Sequence, residues 1–176
     1  MRLSRPLGCF PDGWGPLPPD GDLLETDARE RELEEPSLRW TRAWVSAEQR
    51  ITQAEIDSPD PDLPLEVRRV RVRRIEPRTG ETRALAVALG AWGDEGFEAR
   101  RRLLSPVVRA GVAVLVPEIP YYGARRRVGQ RGARLREVMD LALMGRATVR
   151  EARGLLSWAR RQGFENVGVS RSQRMT

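Results

Sequence analysis

The chain has 176 residues, enough for one domain; 40% of them are hydrophobic, which supplies a core, and 32% are charged, which keeps the surface polar. No apolar run approaches the roughly 20 residues of a membrane span, no apolar signal segment follows the start, and a single cysteine, Cys9, excludes an intrachain disulfide and a cysteine-based metal site. The net charge of +6 rests on arginine alone, because the chain has neither lysine nor histidine.

The missing lysine has two readings: a GC-rich bacterial coding sequence, which is the simpler, or arginines selected to hold phosphate. No helix-turn-helix, zinc-finger or aromatic RNA-binding signature accompanies the arginine clusters, so no specific nucleic-acid partner is expected. The expected compartment is the cytosol.

Residues 1–64 read as a partly helical arm. Pro11, Pro16, Pro18 and Pro19 punctuate its start. Asp22–Glu35 suits a short polar helix that stops before Pro36, and Ser37–Ile51 a second helix. Ser58-Pro59-Asp60-Pro61-Asp62 reads as a linker.

Residues 65–176 read as α/β. Val70 and Val72 alternate with arginines, the pattern of a strand with one solvated face, and Val67 falls out of phase, which suggests a bulge near Arg68-Arg69. Pro77-Arg78-Thr79-Gly80 suits a turn, and Thr82–Leu89 is apolar enough for a buried strand. The two strands are expected to pair as an antiparallel hairpin with the arginine-rich one outermost, its charges guarding a sheet edge. Phe97–Ala110 predicts a helix stopped by Gly111 and kinked by Pro106. Val112–Val116 predicts a short buried strand, followed by a loop to about Gly132. Apolar residues from Leu135 to Leu156 then recur at helical spacing, in one helix or in two broken near Gly145, with Gly163 as the stop. Asn166–Val169 begins a last strand. Strands alternating with helices imply a parallel sheet covered on its faces.

Two segments resemble a known family. Glu118-Ile119-Pro120-Tyr121-Tyr122-Gly123-Ala124-Arg125 is similar to the E-(I/N)-P-Y-Y-G-x-R stretch of the abhydrolase domain-containing protein 18 family, and Val138–Gly145 is similar to its V-S-D-L-F-V-M-G. Phe10-Pro11-Asp12-Gly13-Trp14-Gly15 and Leu155-Leu156-Ser157-Trp158 also match, in family order. The resemblance implies an α/β-hydrolase fold, here a partial one, with a serine nucleophile, an ester-like small-molecule substrate and no cofactor.

It also implies three places for the chemistry. The loop after Leu89, Gly90-Ala91-Trp92-Gly93-Asp94-Glu95, would supply an oxyanion-hole amide, from Trp92 or else Gly93. Ala91 and Trp92 depart from the family's G-T-G-D type, and an ordinary strand-to-helix loop explains the segment equally. Tyr121 and Tyr122 would line a substrate pocket, or plug the loop against the long helix. Ser172 would be the nucleophile, in Val169-Ser170-Arg171-Ser172-Gln173-Arg174 where G-x-S-x-G is expected. Arg174 at the second glycine position should clash with the strand-to-helix packing.

A Ser-His-Asp triad needs a histidine, and a Ser–Lys dyad a lysine; the chain has neither. Asp94, Glu95 and Glu98 lie close together, yet acids at a helix start more often serve its dipole than a metal. The expectation is thus the N-terminal portion of a hydrolase domain, truncated or frameshifted at the nucleophile turn and catalytically incomplete. The alternative is a non-catalytic basic module that binds or regulates an acidic partner.

Overall fold

The computed structural model describes residues 10–17, 36–91 and 93–171. The helix expected at Asp22–Glu35 lies outside them. Six strands form one mixed sheet: β1 (Arg39–Val45), β2 (Gln49–Asp57), β3 (Arg69–Pro77), β4 (Ala84–Leu89), β5 (Val112–Pro117) and β6 (Asn166–Arg171), in the spatial order β1-β2-β3-β5-β4-β6. A helical turn, α1 (Leu65–Arg68), precedes β3. The helices α2 (Glu98–Arg109) and α3 (Val138–Arg161) make the crossovers from β4 to β5 and from β5 to β6. As expected, β4, β5 and β6 run parallel.

Four expectations are corrected. Ser37–Ile51 is not a helix: Arg39–Val45 and Gln49–Asp57 form an antiparallel hairpin around Ser46, whose N–H donates to Gln49 O at 2.8 Å. Tryptophan, threonine, valine and isoleucine favour this pleated surface. The hairpin belongs to the same sheet as the rest, and Ile51, Ala54 and Ile56 are core residues, so no boundary at residue 64 divides the sheet. The β3–β4 hairpin does not form; β3 pairs antiparallel with β2 on one side and with β5 on the other. The arginine-rich strand is therefore internal. Finally, Val67 is out of phase because Leu65–Arg68 is a turn of helix and not a bulge.

Internal arginines are tolerated because each has somewhere to go. On one face of β3, Arg71 reaches the carboxylate of Glu118 and Arg73 lies 4.2 Å from the ring centroid of Phe97. On the other, Arg74 pairs with Glu76 at 2.5 Å and stands 5.5 Å from the Phe164 ring. Cation–π contact and ion pairing offset the lost hydration.

The sheet is covered on both faces. Ile51, Ile75, Val114 and Val116 pack with Leu104 and Val108 of α2. Val70, Val72, Leu85, Val87 and Leu115 pack on the opposite face with Ala152, Leu155 and Trp158 of α3. The helix α3 is unbroken at Gly145. It ends where Gly163 takes a φ of 87°, with Gly163 N–H bonded to Arg160 O and Phe164 N–H to Ala159 O, the paired bonds of a Schellman stop. The N-terminal half of α3 carries a third cluster with Leu63, Val67, Tyr121, Tyr122 and Leu135. Residues 10–14 strap onto its start, where Phe10 and Asp12 donate to the carbonyls of Leu135 and Arg136.

Candidate active site

In open α/β sheets, ligands bind beyond the carboxyl ends of the strands. Here those ends belong to β4, β5 and β6. Leu89, the last residue of β4, is level with Arg171, the last of β6. The chain thus leaves the sheet at Gly90 and after Arg171 from adjacent strands, about 4.8 Å apart. Ser172 and Trp92 lie outside the described residues.

The β4 exit is tightly fixed. A Cβ on Gly90 would lie 2.4 Å from Ile119 Cδ1, so a larger residue there would require the Ile119 side chain to move. Asp94 N–H bonds Ala91 O at 3.1 Å, closing a turn in which Gly93 has a φ of 75°. Arg100 of α2 locks this turn from beneath. It is 1% exposed; its guanidinium donates to Pro117 O and Gly96 O, each at 2.8 Å, and its Nε lies 2.9 Å from Asp94 Oδ2 at ion-pair range. Burial lowers the Arg100 pKa, and Asp94 and Glu118 oppose that. Arg126 from the β5 loop bonds Glu95, joining the two loops. Glu98 bonds Arg101 and Arg73, and its pKa is lowered, foremost by Arg101. Each of the three neighbouring acids thus has an arginine partner. Among the described residues no cluster of metal-ligating side chains forms.

The β5 exit is held by buried charge. Glu118, 1% exposed, accepts both a two-pronged bond from Arg71, at 3.0 and 2.6 Å, and the Ala124 N–H at 3.0 Å. The hydrogen bond with Glu118 is the first cause of a raised Arg71 pKa. Gly123 has a φ of 58°, and a Cβ there would meet Glu118 Oε1 at 2.0 Å. Arg125 is fully buried and donates to Val67 O, Glu118 O and both oxygens of Glu151 on α3.

Between these anchors both tyrosines are fully buried. Tyr121 holds a φ of 66°, a left-handed conformation unusual for an aromatic residue, and its carbonyl accepts from Gln130 Nε2 at 2.7 Å. It borders a pocket of about 210 Å³ with Asp62, Arg127, Met139, Asp140 and Leu143. Burial, and then the Asp140 carboxylate, push its phenol well above the ordinary tyrosine range.

The family model described as alpha/beta hydrolase domain containing 18 matches residues 21–171. The chain belongs to this family. Solved structures agree on the fold. A Bacteroides fragilis protein assigned as an acetyl xylan esterase superposes with a TM-score of 0.60 and 12% identity, covering 80% of this chain and 43% of that one. A cold-adapted esterase from an Arctic intertidal metagenomic library gives 0.55 and 18%, covering 75% and 54%. Acetyl xylan esterase 1 from Thermoanaerobacterium sp. JW/SL YS485 gives 0.52 and 14%, covering 80% and 46%. This α/β-hydrolase chain therefore spans about half the length of these structures.

Sequence reasoning gave no role to Arg100, Glu118, Arg125 or Glu151. Two of the four bracket the Glu118–Arg125 motif and were visible there as letters. Arg100 stands in a run of three arginines, and nothing in that run marks which one turns inward.

Proposed function

We propose that this chain supplies the strand-and-loop framework of a serine-type ester hydrolase. Ser172 takes the nucleophile position, a backbone amide of Trp92 or Gly93 takes the oxyanion position, and Tyr121 and Tyr122 shape the substrate pocket. The register of Leu89 with Arg171 carries this reading. It sets the ends of β4 and β6 side by side, and acyl transfer needs an amide donor and a hydroxyl near each other. The three similar structures are named as esterases, which favours an ester as the substrate.

In this reading the 176 residues are an incomplete catalyst, located in the cytosol. With no histidine and no lysine, the bases of a Ser-His-Asp triad and of a Ser–Lys dyad are both missing. The test is fluorophosphonate labelling of two products: the 176-residue chain, and an extended product read from the coding DNA beyond Thr176. The expected result is background labelling of the short chain, and labelling of the extended one that Ser172→Ala abolishes. Downstream DNA with a stop codon and no aspartate- and histidine-bearing continuation would favour the non-catalytic binding module.

A further inference from the structure

At the end of the strands opposite the candidate active site, the structure holds a pocket of about 350 Å³, lined by Arg50, Arg74, Glu76, Arg78, Glu81 and Arg83 among others. The length of β4, at about 3.3 Å per residue, puts it some 20 Å from the Gly90 exit. Three segments converge on it. Arg50 on β2 stands opposite Glu76 in the β2–β3 register, Arg74 lies two residues earlier on the same face of β3, and Arg78 and Arg83 flank the loop into β4.

Two of the arginines here, Arg50 and Arg78, differ from several others of the chain. Arg100, Arg101, Arg125, Arg126 and Arg127 are each bonded to a carboxylate. In the pocket, Arg74 is held by Glu76 and by the Phe164 ring, so its guanidinium is preset. Arg83 reaches Glu81 and Glu165 only at 4.0 and 3.9 Å, the outer limit of an ion pair. Among the described residues, no carboxylate pairs with Arg50 or Arg78. Four arginines against two glutamates leave a surplus of two positive charges in a concave site.

We propose that this pocket binds a small phosphate-bearing anion with at least two negative charges. Planar guanidinium groups arriving from different segments match the several oxygens of a phosphate. The volume is at the lower end for small-molecule sites and suits one or two phosphoryl groups. The ligand is either free (pyro)phosphate or the phosphate end of a nucleotide.

The test is calorimetric titration of the full chain with inorganic pyrophosphate at low ionic strength. One site per chain is expected. Arg50→Gln and Arg78→Gln should each weaken it at least tenfold, while Arg153→Gln, which removes the same charge from an exposed position on α3, should leave it unchanged. Pyrophosphate should also raise the melting temperature of the parent chain and not of the two pocket variants. A parallel ADP titration separates the sources: tighter binding than pyrophosphate assigns a nucleotide, and equal binding assigns phosphate alone. Absence of saturable binding, or an equal loss in all three variants, would overturn the proposal.

Discussion

Single side chains at the β5 exit carry more of the structure than their number suggests. Arg125 and Glu151 form a fully desolvated ion pair, and Ser58 adds a third bond to Glu151 at 2.6 Å. Removing one partner of such a pair leaves a bare buried charge and costs about 3–5 kcal/mol, whereas replacing both with apolar groups is often neutral. Arg125→Met should therefore lower stability by that amount in urea denaturation, and the double variant Arg125→Met/Glu151→Met should recover most of it. Failure of the double variant to recover would mean that the bonds to Val67 O and Glu118 O matter more than the pair. Tyr121 gives a second residue-scale expectation. Its phenol binds its proton more tightly in the folded chain than in the unfolded one. Its contribution is then constant below about pH 10, the unfolded value, and is lost as pH rises above it, by up to about 1.4 kcal/mol per unit. The folded state should weaken along this alkaline limb, and Tyr121→Phe should flatten it. An unchanged limb in the variant would assign the loss to other groups.

Among the elements, β6 is the exposed one. Among the described residues it borders only β4, which leaves one row of its N–H and C=O groups without a strand partner, and Val169 is half exposed. Open edges of this kind template self-association, and a lysine is the usual guard. Val169→Lys should raise the monomer fraction in size-exclusion chromatography while changing the melt little. Unaltered association would point to β1, the other edge, where Trp40, Trp44 and Val45 are exposed. The two ends of the sheet also differ in how legible they are from sequence. β4, α2, β5 and α3 can be read because their burial is two-sided or follows a clean helical stripe, with Gly111 and Gly163 as stops. The β1–β2 hairpin is harder. Trp40 and Trp44 are four apart, the spacing of one helix face, and the bulge between Trp40 and Arg42 puts them on opposite faces of the sheet, against Trp158 and Arg73, so no simple strand alternation shows. Arg71 and Arg73 mislead for a different reason: alternation with arginine looks like a solvated face, and only Glu118 and Phe97, distant in sequence, make that face an interior one. The candidate site is legible as motif letters. The bonds of Arg100, Glu118 and Arg125 that shape it span 4 to 58 positions of sequence, and no local pattern announces the long ones.

For the molecule as a whole, cover is uneven. Among the described residues a single long helix packs on each face of the sheet, and all of β1 is exposed. Each 100 Å² of apolar surface left in water forgoes roughly 2.5 kcal/mol, against a typical folding reserve of about 5–15 kcal/mol. The 176 residues on their own should therefore melt broadly and bind a hydrophobic dye at room temperature. A monodisperse monomer with one sharp transition above about 50 °C would instead identify a self-sufficient domain and favour the binding module.

The place of β5 between β3 and β4 also sets a problem of timing. During synthesis β3 and β4 leave the ribosome before β5 exists, joined by the short segment 78–83. Nothing at that moment prevents them from pairing with each other. That premature hairpin is a topological trap, because β5 enters only if it opens again, and opening must be fast compared with the arrival of the next strand. The arginines of β3 work against the trap. Arg71 gains its buried carboxylate only when Glu118 at the end of β5 arrives, so the correct partner brings a bond that the early hairpin lacks.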